Sequence, residues 1–148
     1  MTSSFSYTEP ISIRCKGEVP EYTSEGDAGA DLRAAHDFLI EATARTLVLT
    51  DTALEIPLGT TGLICSRSGL AKNSGICVLN APGVIDAGYR KNLGVILYNS
   101  SHVDFRGKKG CRIAQLLIVP TFRASFIQTD ELSKSERGEN GFGSSGIA

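Results

Sequence analysis

Apolar and polar positions alternate along most of this chain in short runs, the period-two pattern of half-buried strands. ISIRCKG, RTLVLTDTALEIP and TGLICSRS alternate in this way. GICVLNAPGVID, NLGVILYNSS and RIAQLLIVPTF are denser in Val, Ile and Leu, and are expected as strands buried on both faces. The breaks hold Pro57 and Gly59, Pro82 and Gly83, Gly88, and the Gly107–Gly110 stretch. Runs at this spacing with such turns predict an all-β sandwich, barrel or jelly roll. Helix signals are few. DLRAAHDF is expected to make a turn or two and GLAKN a short helix after Ser68, neither long enough to cross over a parallel sheet. After about Phe126 the pattern gives way to QTDELSKSERGENGFGSSGIA, which is polar, charged and glycine-rich. The expected organisation is a β core at 1–126 and a mobile C-terminal arm at 127–148.

Composition narrows the function classes. The chain has 148 residues, enough for one domain with a real core, and 41% hydrophobic residues, which excludes disorder as the dominant state. A formal net charge of −1 argues against a nucleic-acid binder that works through phosphate contacts, while a small anionic ligand needs only a few local cations. Cys15, Cys65, Cys77 and Cys111 form no C-x-x-C pair and no cluster with histidine, so they are expected as reduced, mostly buried thiols rather than zinc ligands. The stretch MTSSFSYTEPISIRCKG shows no secretory signal, and no apolar run approaches the roughly 20 residues of a membrane span. An intracellular protein, cytoplasmic or nuclear and without membrane association, is expected.

Several segments carry chemistry. In CSRSGLAKNSG, Arg67, Ser68 and the N–H groups at a helix start suit a phosphate; the plain alternative is an N-capping Ser68 beside a solvated Arg67. In NAPGVIDAGYRKNLGVILYN, Asp86 either caps its own turn or serves as a base, and Tyr89 is either a strand residue or a ring packed on a sugar. Gln115 lies among Ile113, Ala114, Leu116 and Leu117, so its amide must bond to backbone or to ligand. Asp31 fits a helix cap, an ion-pair partner or the outer shell of a hydrated Mg2+ near a triphosphate. His36 and His102 have no nucleophile beside them and read as ordinary surface residues. In the arm, Arg137 offers a bidentate fork, the glycines let N–H groups approach phosphate, and Phe142 is a lone stacking ring. That combination predicts a lid over a nucleotide, although no Walker A order is present.

Taken together, GADLRAA (Gly29–Ala35), RSGLAKNSG (Arg67–Gly75), GVIDAGYRKN (Gly83–Asn92), GCRIAQLLI (Gly110–Ile118) and RGENGFGSSG (Arg137–Gly146) resemble, in order, the five motifs of the homotrimeric dUTPases. The resemblance implies a dUTPase-like β jelly roll (β-clip) subunit and a homotrimer whose shared active sites each draw on all three chains. It implies Mg2+-dependent hydrolysis of dUTP to dUMP and pyrophosphate. On the same basis Asp86 is the base, and Tyr89 packs under the deoxyribose. Asn80 and the hairpin backbone at Gly83, Val84 and Ile85 read uracil. Arg67, Ser68, Gly69 and Gln115 contact phosphate or its water. Arg137, Gly143, Ser144 and Ser145 close on the γ-phosphate, and Phe142 covers the uracil. No direct protein ligand to the metal is implied, with Asp31 in its outer shell. Ala30, Ser66, Gly88, Lys91 and Asn140 depart from the family's usual residues. The dCTP deaminases share the fold, but no added glutamate or arginine-serine cluster suits deamination here.

Overall fold

The structure, a computed structural model, describes residues 10–136 and 138. The alternating runs become strands β1 Arg14–Gly17, β2 Ala30–Arg33, β3 Phe38–Ile40, β4 Arg45–Leu49, β5 Thr52–Glu55 and β6 Thr60–Cys65. After helix α1 (Ser68–Ser74) come β7 Ile76–Val78, β8 Gly83–Ile85, β9 Gly94–Asn99, β10 Phe105–Gly107 and β11 Arg112–Pro120. They pair antiparallel as β2-β11-β6-β8, β4-β9-β7, β1-β5 and β10-β3, an all-β jelly roll.

The two larger sheets meet through one hydrophobic cluster. On β9, Val95 and Leu97 are buried while Ile96 and Tyr98 are half-covered, as period two requires. Val95 pairs with Val48 and Leu97 with Val78. From the other sheet, Leu116 pairs with Ile64 and Ala30, and Leu32 stands opposite Ala114. Apart from Ala30, these side chains belong to the same buried cluster, and each Leu or Ile removed from water contributes about 1.5–3 kcal/mol. Asn99 is fully buried and fully used. Its Nδ2 donates to the carbonyls of Ile40 (3.1 Å) and Val103 (2.7 Å), and its Oδ1 accepts from the Ser101 N–H (3.0 Å) and hydroxyl (2.8 Å). It ties the end of β9 to β3 and the following loop.

Several expectations change. DLRAAHDF is not helical: its first half is β2, a bend follows, and Phe38 opens β3. Pairing with β11 buries Leu32, and this overrides the helical preference of the two alanines. GLAKN does form α1, but Arg67 is the N-cap, extended at φ −89° and ψ 123°, and no side chain caps the helix. Ser68 is therefore the first helical residue rather than the cap. The helix ends at Gly75, whose φ of 68° favours glycine and whose added Cβ would lie 2.7 Å from Ser100 Oγ. The dense strands β9 and β11 bury one face, not two, within a single chain. The four cysteines are free and each is partly rather than fully buried. Burial pushes the thiols of Cys15 and Cys111 up, which favours the protonated form.

Candidate active site

The ladder β2-β11-β6 sets Asp31, Gln115 and Cys65 in one row, since Gln115 is opposite Asp31 on one side and Cys65 on the other. Residues directly opposite in antiparallel strands share a face. Asp31 Oδ1 pairs with Arg67 Nε at 3.1 Å. Its Oδ2 accepts from Arg112 Nη1 at 3.1 Å and from the Thr23 hydroxyl at 3.2 Å. Arg67 Nη1 also donates to the Arg112 carbonyl at 3.3 Å. The carboxylate thus fixes two guanidinium planes, and their Nη2 groups have no partner among the described residues.

These residues wall a cleft of about 420 Å³ that also takes in Ser24, Gly29, Ser68, Gly69 and Gln115. The first backbone bond of α1 runs from the Ala71 N–H to the Arg67 carbonyl, so the N–H groups before it lack intrahelical acceptors. Gln115 Nε2 donates to the Ser66 carbonyl at 3.0 Å. Its Oε1 lies 2.6 Å from where a Cβ on Gly29 would stand, which explains glycine at that close approach. Ser66 is also bonded through its hydroxyl, which accepts from the Val78 N–H at 2.8 Å, and a proline there would supply no such oxygen. The cleft is a ready anion cradle: two anchored guanidiniums, a hydroxyl, an amide and unpaired N–H groups.

The second group of residues lies elsewhere. β8 carries Gly83, Val84 and Ile85 on the edge of the four-stranded sheet opposite to β2. Three strand spacings, about 14 Å, separate those edges. Asn80, Gly83, Val84 and Ile85 line a small pocket of about 70 Å³ with Ile64, Val78 and Gly94. Asp86 is exposed at the end of β8, and the Tyr89 N–H closes its turn onto the Asp86 carbonyl at 3.0 Å. The Tyr89 hydroxyl donates to the Asn92 carbonyl at 3.3 Å, and the residue is 40% exposed. The structure therefore brings Asp31, Arg67, Ser68, Gly69 and Gln115 together, and Asn80, Gly83, Val84 and Ile85 together, but does not bring Asp86 or Tyr89 to the first cleft within one chain.

Arg137, Phe142, Gly143, Ser144 and Ser145 lie outside the described residues. The described residues of the arm form no helix or strand, and Phe122, Phe126, Ile127 and Leu132 are almost wholly exposed. Among the described residues no three His, Cys, Asp or Glu side chains cluster as metal ligands, and none forms a helix long and apolar enough to cross a membrane. Sequence reasoning missed Arg112 and Thr23 as members of the cleft. Arg112 had a signal, a cation at the mouth of an apolar strand three positions before Gln115. Thr23 had none.

The dUTPase family model matches residues 16–146. The chain is 47% identical over 131 residues to the deoxyuridine 5'-triphosphate nucleotidohydrolase of Tropheryma whipplei strain Twist, covering 88% of this chain and 90% of that protein. It superimposes on the dUTPase of Staphylococcus bacteriophage 80alpha, solved with dUpNHpp, at a TM-score of 0.87 and 33% identity, over 93% of this chain and 100% of that one. A variant dUTPase from phage phi11 of S. aureus, whose structure reveals the coordination of a structural Mg(II) ion, gives 0.76 and 26%, over 82% and 98%.

Proposed function

The chain belongs to the dUTPase family, and we infer from the separation of its two half-sites that it acts as a homotrimer with shared active sites. The reaction is hydrolysis of dUTP to dUMP and pyrophosphate, which lowers dUTP and so limits uracil incorporation into DNA, and supplies dUMP for dTMP synthesis. The observation that carries sharing between copies is that β2 and β8 occupy opposite edges of one sheet, and the count of three is what the family resemblance implies. An anion cradle with no base beside it and a base with no cradle beside it become one site when copies associate. A second feature agrees. Leu117, Leu63 and Val84 form one row across β11, β6 and β8, and Val84 is 62% exposed, an apolar surface suited to cover by another copy.

In the assembled site the triphosphate lies in the cleft of Arg67, Ser68, Gly69 and Gln115, with Arg112 beside Arg67. The hairpin of another copy offers Asn80 and the backbone of Gly83, Val84 and Ile85 to the uracil edge. Tyr89 packs under the deoxyribose and leaves no space for a 2′-hydroxyl. Asp86 accepts a proton from a water in line with the α-phosphorus. As the new P–O bond forms, the bond from the α-phosphorus to the α,β-bridging oxygen breaks, and pyrophosphate leaves. The arginines meet the charge that builds on it. The arm closes with Arg137, Gly143, Ser144 and Ser145 on the γ-phosphate and Phe142 on the base.

Mg2+ fits this chemistry as an ion carried by the phosphate oxygens and its own waters, where it offsets triphosphate charge. Both oxygens of Asp31 are engaged by arginines, which supports an outer-shell role for it over direct ligation. The direct test is pyrophosphate release with Mg2+ from dUTP beside dCTP, dTTP and UTP. Fast release from dUTP alone is expected. Release of ammonia from dCTP instead would overturn the reading.

A further inference from the structure

The turn that carries Asp86 and Tyr89 has little of its own to hold it. Ala87 and Gly88 form its tip, and a Cβ added to Gly88 would meet nothing within 4 Å. Its backbone is closed by one bond, from the Tyr89 N–H to the Asp86 carbonyl. One side chain crosses it. Arg90 Nη1 donates to the Ala87 carbonyl at 2.6 Å and to the Tyr89 carbonyl at 3.0 Å. Arg90 Nη2 faces Glu55 Oε1 at 3.9 Å.

Glu55 is itself held. It stands opposite Arg14 in the β1-β5 ladder, and its other oxygen meets Arg14 Nη1 at 3.4 Å. The next residue, Ile56, is buried. A planar guanidinium thus spans the carbonyl of Ala87 in the tip and that of Tyr89 just past it, and points its far edge at a half-exposed carboxylate carried by β5. The ion pair is exposed and long, so its energy is small. What the arrangement supplies is a fixed orientation for the Asp86–Tyr89 turn.

We propose that Arg90, anchored by Glu55, is a positioning residue that sets the geometry of both the base Asp86 and the sugar-selecting ring of Tyr89. The proposal rests on the roles given to those two residues above. Arg90 acts through the turn rather than on the substrate. Its loss lets the tip flex, which misdirects the Asp86 carboxylate and tilts the Tyr89 ring together. Both kcat and the preference for dUTP over UTP then fall, while the fold, which does not bury Arg90, is kept.

The test compares wild type, Arg90→Ala, Arg90→Lys, Asp86→Asn and the Asp86→Asn/Arg90→Ala double variant, full length and with Mg2+. For each, kcat and KM for dUTP and UTP, thermal midpoint and assembly size are measured. Arg90→Ala is expected to lower kcat on dUTP about tenfold and the dUTP/UTP ratio of kcat/KM by a similar factor, since small misplacement of reacting groups is heavily penalised. Its midpoint and assembly stay those of wild type. Arg90→Lys, which still reaches a carbonyl, recovers part of both losses. In the Asp86→Asn background, removing Arg90 lowers kcat less than about twofold, because no base remains to be positioned. A fully active Asp86→Asn enzyme overturns the assignment of the base, and with it this role. If Asp86→Asn is inactive but Arg90→Ala keeps its kcat and its dUTP/UTP ratio, the base stands and the positioning role of Arg90 is overturned. A fall in midpoint that accounts for the activity loss, with no recovery in Arg90→Lys, also overturns it.

Discussion

Asp31 holds Arg67 through an Nε–Oδ1 contact of 3.1 Å, and its carboxylate is only 12% exposed. The same group takes Arg112 at 3.1 Å. One carboxylate therefore sets the direction of two cations, and its role is architectural before it is anything else. Asp31→Ala leaves both guanidiniums free to turn into solvent. The arginines are partly exposed, so stability falls by only about 1–2 kcal/mol rather than the larger figure for a dry buried pair. The larger effect is on substrate: KM for dUTP rises about tenfold or more, the scale of one misdirected charged hydrogen bond. Steady-state kinetics beside a thermal melt separates the two. An unchanged KM would show that the arginines do not need Asp31.

Tyr89 has a hydroxyl bonded to the Asn92 carbonyl and is partly open to solvent. Its place in the proposed site is selection by shape. Tyr89→Ala is expected to reduce the dUTP/UTP preference by at least about tenfold, since an excluded group differs from an accepted one by about 1–3 kcal/mol in a shaped pocket. Tyr89→Phe keeps the ring and keeps the preference. Equal rejection of UTP by Tyr89→Ala would remove the ring from the selectivity argument.

Gly107 on β10 tests the fold away from the site. A Cβ there would fall about 2.1 Å from the Phe38 ring, which packs within 6.2 Å of Phe105. Phe38 is buried and cannot swing out freely. Gly107→Ala should destabilise the chain by about 1–3 kcal/mol through overpacking. Chemical denaturation reads this as a lower midpoint at constant slope, with kcat on dUTP unchanged at temperatures where the variant is folded.

How much was legible in advance follows from which forces are local. β9 and β11 are dense enough in Val, Ile and Leu that no tertiary knowledge is needed to see strands. β2 was misread because Ala30–Arg33 carries no β-branched signal, and only the partner β11 makes it extended. β10 is three residues long and had no pattern to show. At the site, single residues announced themselves by type and neighbours. Their grouping did not. Asp31 meets Gln115 across a ladder that joins distant parts of the chain, and Asp86 stands near neither, which only sheet order reveals.

Asp37 gives a pH dependence with a definite sign. The Lys108 ammonium, bonded to it at 2.8 Å, and the Lys109 N–H hold its carboxyl below the usual range. Between the lowered native value and the ordinary unfolded one near about 3.9, the unfolded chain binds more protons. The contribution is therefore complete above the unfolded value and is lost as pH falls through the native one. Asp37→Asn should give a shallower fall in stability below about pH 4 and the same stability slope near neutrality. A parallel acid limb in wild type and variant would mean that Lys108 does not bias this carboxyl.

The shared site makes a prediction that no single-chain site can meet. Take one chain with Asp86→Asn and another with Arg67→Ala and Arg112→Ala, each inactive alone at moderate dUTP. The first keeps its phosphate cleft and the second keeps its base. β2 and β8 lie at opposite edges of the sheet, so in the proposed assembly a competent site needs the cleft of one chain and the turn of the other. Co-expressed in equal amounts, random mixing in a cyclic trimer places an intact cleft beside an intact turn in about one quarter of all sites, and purification through two tags keeps only mixed trimers, in which one site of about three is intact. Recovered kcat per total site in the purified pool should approach about one third of wild type. A mixture as inactive as its parents, with mixed assembly shown by the two tags, would place cleft and base in the same chain. The separation seen between Asp31 and Asp86 would then have to close by movement within one subunit.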